Sequence, residues 1–324
     1  MTDPQSTAGN QAPEVPSVVH PSYTSILHEH DVAEKQRQTR VGLLKDMEKN
    51  ELNGGKGPNA VIAQVSKEGS MGSSLEAGDI PVLGNVLRSI GDVHTLSLIL
   101  HSPGGDGTCV EKVVALCREQ CKHFRVIIPN RAKSAATMIA LGADEILMGP
   151  SSEIGPIDAQ VPVVVEGIPR YVSAQSFIDA RDALLGQYKE ALAKKEDAQP
   201  ILQMIASLDI PFIEECQRMM DFGRDVVRDL LGKYMLARSK DKVSKIDKIV
   251  EMLSSVKKHK VHGRFISGNT ARRELGLNVR LLAKDDPLWQ SVWEYYTRTE
   301  INLGRIRSPK MFESKHEMLH AVSQ

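Results

Sequence analysis

At 324 residues, with 41% hydrophobic and 25% charged side chains, the chain is long enough to bury a large α/β core plus one smaller region. Its 41 basic and 41 acidic residues cancel, which removes the global electrostatic case for a nucleic-acid partner. Runs such as Leu96 to Leu100 and Val161 to Val165 fall far short of the roughly 20 apolar residues of a membrane-crossing helix, which argues against integral membrane insertion.

Residues 1–21 read as a disordered arm, rich in Pro, Ser, Thr, Gly and Gln, without the basic start and apolar core of a signal peptide. Tyr23 to Asn50 reads as a polar, charge-rich helix that Gly and Pro interrupt between Asn53 and Asn59. Ala60 to Val65 is a predicted strand, Ser66 to Asp79 a Gly/Ser-rich loop, and Ile80 to Ile90 an amphipathic helix. Thr95 to Leu100 is apolar without alternation, the pattern of a strand buried on both faces of a parallel sheet.

Val110, Val113, Val114 and Cys117 recur at helical spacing and predict a helix over Cys109 to Cys121. Phe124 to Ile128 is the next strand, Ser134 to Gly142 a helix, Glu145 to Met148 a strand, and Gly149 to Asp158 a loop. Strands alternating with helices in this way imply parallel pairing through right-handed crossovers. Val161 to Val165 is a further short strand; Ser173 to Lys195, Pro211 to Leu236 and the charged run Arg238 to Lys260 carry helices. Asn269 to Leu275 is a short helix stopped at Gly276, and Trp289 to Tyr296 an aromatic-rich helical stretch suited to packing.

The expected organisation is thus an arm over 1–21, an α/β core with its N-terminal helix over 22–200, a helical C-terminal region packing on the core over 201–306, and a flexible tail over 307–324. Cys109, Cys117, Cys121 and Cys216 have no metal-ligand spacing and read as reduced packing residues of a cytoplasmic protein.

The chemistry concentrates at two strand exits, His101-Ser102-Pro103-Gly104-Gly105-Asp106-Gly107 and Arg131-Ala132-Lys133-Ser134-Ala135-Ala136. Serine attack on an amide needs an exposed hydroxyl, a base, and donors where the carbonyl oxygen becomes negative. Ser134 opens an apolar helix, so the unpaired N–H of Ala135 is available for an oxyanion. Gly105 lets a second backbone N–H approach closely. The plainer alternatives are that Ser134 is an N-cap and Pro-Gly-Gly a turn.

No GxxxxGK[ST], GxGxxG or HExxH pattern is present, so no cofactor and no metal is expected. The basic run from Lys257 to Arg264 reads as a solvated face.

Pro103-Gly104-Gly105, Ser134, Ala143-Asp144-Glu145-Ile146 and Gly155-Pro156-Ile157-Asp158, with weaker support from His262 and Glu274-Leu275-Gly276-Leu277-Asn278-Val279, resemble the Clp-fold serine proteases. The resemblance is to the serine dehydrogenase proteinase family in particular, which is similar to signal peptide peptidase A, and it is strongest over about residues 93 to 160. It implies a ClpP/crotonase-like α/β spiral with additional C-terminal helices, a peptide or protein substrate, a homo-oligomer, and Ser134 as nucleophile of an acyl-enzyme.

Relatives often carry glycines after the serine, where this chain has Ala135 and Ala136. The N–H survives this change, while the methyl groups narrow the entrance.

For the base, the peptidase A resemblance implies a lysine, and Lys189 lies near the corresponding place. His262 is the rival, because the proteinase relatives carry a histidine before the same Gly-Leu-Asn-Val element and an imidazole titrates near neutrality. Asp158 is a candidate orienter of the base or a turn cap. His101 either lines the cleft or packs at a strand end. Lys133 adjoins the nucleophile, but its polar loop shows no sign of the desolvation a lysine base requires. The alternatives to a peptidase are a non-catalytic oligomeric scaffold of the same fold and a crotonase-like acyl-thioester enzyme.

Overall fold

The computed structural model describes residues 21, 23–29, 33–51, 57–255 and 263–320. His262, Lys257 and the rest of the basic run before Gly263, and all of the expected arm except Pro21 lie outside these residues.

Tyr23–Leu27 (α1) and Ala33–Asp46 (α2) divide the polar helix expected at the start, and one π-helical turn follows at Met47–Glu51. The core then alternates Asn59–Ser66 (β1), Asp79–Ile90 (α3), Val93–His101 (β2), Val110–Glu119 (α4), Cys121–Ile128 (β3), Arg131–Ala132 (β4), Ala135–Leu141 (α5) and Glu145–Met148 (β5). Glu153–Ile154 (β6) precedes a hairpin of Gln160–Val165 (β7) and Ile168–Ser173 (β8). Helices Ala174–Lys194 (α6), Gln199–Ala206 (α7), Ile210–Lys233 (α8) and Lys242–Ser254 (α9) follow. The chain continues through Ile266–Ser267 (β9), Gly268–Arg273 (α10), Val279–Leu281 (β10), Pro287–Ile306 (α11), Lys310–Ser314 (β11) and Met318–His320 (β12).

The main sheet has the order β10-β5-β3-β2-β1-β11-β12, parallel from β10 to β1. Because β1, β2, β3 and β5 succeed one another across the sheet, crossovers of one hand place their helices on one face. Leu83 and Val86 of α3, Val110 and Val113 of α4, and Ala136 and Ile139 of α5 accordingly share a core with Ile62, Leu98 and Val126. The opposite face, carrying Val61, Ile99, Ile127 and Leu147, is covered by Leu44 of α2 and by Trp289, Val292 and Tyr295 of α11. Leu96, Leu98 and Leu100 of β2 thus enter one core and Ile99 the other. Thr95 and Ser97, on the same face as Ile99, are buried as well, so the strand is buried on both faces although Thr95 to Leu98 alternate polar and apolar.

The segment after Ile306, expected to be a flexible tail, is instead ordered into β11, antiparallel to β1, and β12 beside it. Its charges concealed it. Glu313 and Lys310 are 0% and 1% exposed, and each is matched inside the protein. Arg40 forks onto Glu313 (Nε to Oε2 2.9 Å, Nη2 to Oε1 3.1 Å), and the Tyr295 hydroxyl donates to the same carboxylate at 2.8 Å. Buried charges survive only with such partners.

All four cysteines are free thiols. Burial pushes the Cys117 thiol well up and that of Cys121 up to about 11, consistent with packing residues.

Candidate active site

The candidate nucleophile sits where the chain leaves β4 and begins α5. Ser134 has φ 49° and ψ −118°, a left-handed backbone that costs a residue with a Cβ of order 1–3 kcal/mol. Its hydroxyl makes no capping hydrogen bond to α5, so the capping role that would otherwise account for a serine here is not used. Thr137, fully buried one turn later, fixes the helix entry: its Oγ1 donates to Ala132 O at 2.7 Å and accepts from Gly155 N–H at 3.1 Å. The turn is thereby tied to the Gly155-Pro156 loop.

The loop after β2 is stitched to this turn. Ser102 N–H donates to Arg131 O at 3.0 Å, and Lys133 N–H donates to Ser102 O at 3.1 Å. Ser102 Oγ accepts from Gly104 N–H at 3.1 Å. Gly104 and Gly105 both have positive φ, 99° and 142°. A Cβ on Gly104 would lie 2.7 Å from both Lys133 O and Ser134 Cβ, and one on Gly105 would run into the Leu75 backbone. Glycine is therefore required twice by close approach as well as by conformation.

Among the described residues no acceptor takes the N–H of Gly105 or of Ala135. Ala136 N–H, by contrast, is committed to Lys133 O at 2.9 Å. Two unclaimed donors beside a serine make an arrangement suited to a developing oxyanion.

Ser134 and Gly105 line one cleft of about 600 Å³. Its walls are largely apolar, with Leu75, Met138, Ile157, Tyr171, Met219 and Phe222. Tyr171 from β8, and Met219 and Phe222 from α8, were not among the residues singled out in the sequence. The sequence carries no local signal for them: each is a large side chain left at least 36% exposed, and only the folded chain brings it to the cleft.

The remaining candidates distribute unevenly. Asp158 is buried at 2% exposure, between Ile157 and Ala159, which both line the cleft. Lys189 is exposed on α6 and is not part of the cleft wall; His262 lies outside the described residues. His101 packs at the strand end and does not line the cleft. It is 1% exposed, its Nδ1 accepts from Arg131 N–H at 3.3 Å, and its ring meets Tyr296 edge-on. Burial, reinforced by the positive charge of Arg131, lowers its pKa to about 3.

Lys133 differs from expectation, because the loop that reads as polar buries it. It is 8% exposed, with Nζ 3.1 Å from Glu153 Oε2 and 3.2 Å from Arg264 O. Burial lowers its pKa, against the opposing effect of Glu153. These contacts engage the ammonium as a brace between loops.

A sequence model of ClpP-like SDH-type serine proteinases matches residues 78–279, more than half of the chain. An uncharacterised protein of Methanocaldococcus jannaschii is 39% identical over 66 residues, covering 20% of this chain and 23% of that relative, so the match spans about a quarter of the relative's length. The 1510-N membrane-bound stomatin-specific protease resembles the structure with a TM-score of 0.27 at 16% identity, over 65% of this chain and 93% of that one. An enoyl-CoA hydratase/isomerase from Pseudoalteromonas atlantica has a TM-score of 0.22 at 15% identity, over 54% and 88% of the two chains.

Proposed function

The chain belongs to the ClpP-like SDH-type serine proteinase family, and from that premise we propose that it is a serine peptidase hydrolysing peptide bonds through an acyl-enzyme on Ser134. The observation that carries this reading is that a strained and uncapped Ser134 shares one largely apolar cleft with Gly105, and that the backbone N–H of Gly105 and that of Ala135, the residue after the serine, are unclaimed among the described residues.

In the proposed reaction the Ser134 hydroxyl loses its proton to a base as Oγ attacks the peptide carbonyl. The oxygen that becomes negative accepts hydrogen bonds from Gly105 and Ala135, and the protonated base delivers its proton to the leaving amine. Water, deprotonated by the same base, then hydrolyses the ester and frees Ser134. Removal of one such donor costs about 3 kcal/mol in the transition state.

Lys189 and His262 are the two candidate bases, with Asp158 as the proposed orienter. A lysine needs desolvation to act near neutrality, which Lys189, exposed on α6 and outside the cleft wall, does not have here; a histidine needs none. We also propose a homo-oligomer, supported by Val164, Ile168 and Tyr171, which the β7–β8 hairpin leaves 72%, 55% and 75% exposed. A cytoplasmic location is supported by the free thiols. No helix among the described residues is long and apolar enough to cross a membrane.

Turnover of a diverse peptide library by the wild type, Ser134→Ala, Lys189→Ala and His262→Ala tests this reading. The expected result is cleavage that Ser134→Ala abolishes and that one of the two base variants slows at least about 100-fold. Cleavage unchanged in Ser134→Ala would remove the proposed nucleophile, and cleavage unchanged in both base variants would remove both bases.

A further inference from the structure

The side chain of Lys310 comes from β11, on the far side of β1 from the strand that leads into the cleft, yet it ends behind the oxyanion loop. It is 1% exposed, and its Nζ donates to Ser74 O at 2.8 Å, to Glu76 Oε1 at 2.8 Å and to Asp79 Oδ2 at 2.9 Å. Asp79 Oδ2 in turn accepts from Glu76 N–H at 3.0 Å. One ammonium therefore holds both neighbours of Leu75, Ser74 by its carbonyl and Glu76 by its carboxylate.

Leu75 is the residue that clamps the Gly-Gly turn. Its N–H donates to Gly104 O at 2.7 Å, and its carbonyl accepts from Asp106 N–H at 2.9 Å. The Gly104 carbonyl and the Gly105 N–H belong to one peptide plane, and in a trans peptide the two point in opposite directions. With the Gly104 carbonyl turned onto Leu75, the Gly105 N–H must face away from the Ser74–Glu76 segment, and Gly105 lines the cleft that Ser134 also lines. Glycines rotate readily at this plane, so without the clamp nothing local favours that orientation over its reverse.

We infer that Lys310 is a positioning residue for the proposed peptidase reaction, locking the Gly104–Gly105 peptide, through Ser74, Leu75 and Glu76, with its N–H presented to the oxyanion. The inference rests on the peptidase reading for its functional consequence, while the lock itself is a property of the fold.

Removing Lys310 alone would leave Asp79, 4% exposed, as an uncompensated buried carboxylate, so the test uses Lys310→Met/Asp79→Asn beside Lys310→Met and Lys310→Arg in the full chain. Two readouts are taken on variants whose melting lies above the assay temperature: kcat and KM for a cleaved peptide, and hydrogen exchange of the Leu75 and Asp106 amides. The expected result for the double variant is kcat lower by about 10- to 100-fold with KM within about threefold, together with lost protection of both amides. Lys310→Arg, which keeps a charged donor, is expected to restore part of both.

A folded double variant with wild-type protection at Leu75 and Asp106 would overturn the lock. Lost protection with unchanged kcat would overturn the positioning role. A wild type that cleaves nothing, but whose double variant loses this protection, would count against the peptidase reading and leave the lock supported.

Discussion

Gly104 lies so close to Ser134 that a methyl group on the glycine would sit 2.7 Å from the serine Cβ. The two loops that carry the proposed oxyanion donors are therefore in contact through their backbones, without a side chain to adjust between them, and what disturbs one loop is transmitted to the other.

Gly104→Ala is the sharpest probe of that contact. The new methyl would meet Lys133 O and Ser134 Cβ at a φ of 99°, combining overpacking with a disfavoured backbone. The expected loss of stability is about 2–4 kcal/mol, read by chemical denaturation. Activity should fall more than a melting shift of that size explains, at least about 100-fold in kcat/KM. A variant with wild-type activity would show that the contact is not needed.

Ser134→Gly separates strain from chemistry. Glycine relieves the positive φ of 49°, worth roughly 1–3 kcal/mol, and gives back about 0.5–1 kcal/mol through the entropy of the unfolded chain. A net gain of about 1 kcal/mol is expected, with complete loss of turnover. A destabilised Ser134→Gly would mean that the turn is not strained.

Thr137→Val keeps the shape of a buried side chain and deletes the hydroxyl shared by Ala132 O and Gly155 N–H. Leaving these groups unsatisfied should cost about 1–3 kcal/mol. Because the same hydroxyl ties the Ser134 turn to the Gly155 loop, kcat should fall more than KM rises. A neutral substitution on both measures would dismiss the tie.

Acid should destabilise the protein through His101. Burial and the charge of Arg131 lower its pKa from 6.5 to about 3 in the folded state, so below pH 6.5 the unfolded chain takes up a proton that the fold refuses. The contribution is fully present above pH 6.5 and is lost as the pH falls from there toward about 3, by up to about 1.4 kcal/mol per pH unit. His101→Gln, which does not titrate, should show a shallower fall of stability between pH 7 and pH 5. Equal slopes in the two proteins would contradict the assignment.

Much of the fold was legible in the sequence because the central strands are apolar on both faces and the crossover helices show clean spacing. Leu98, Ile99 and Leu100 read as a doubly buried strand, and Val110, Val113, Val114 and Cys117 as one helix face, for the same reason that they pack as they do. Ser134, Gly105 and Ala135 could be singled out because turn chemistry is local.

What the sequence hid depends on distant partners. Lys310 and Glu313 look like surface residues until Asp79 and Arg40 are brought to them from more than 200 positions away. Lys133 looks solvated until Glu153 and Arg264 close over it. Tyr171, Met219 and Phe222 acquire meaning only when a hairpin and a helix are seen to form walls of the cleft.

The assignment of Ser134 as an activated nucleophile stands or falls on the reaction of the folded protein with a serine-reactive fluorophosphonate, the adduct being mapped by mass spectrometry. With that assignment, labelling is stoichiometric at Ser134, absent from Ser134→Ala and slowed in Gly104→Ala. An intact, folded wild type that takes up no label, or takes it up at another residue, would contradict it.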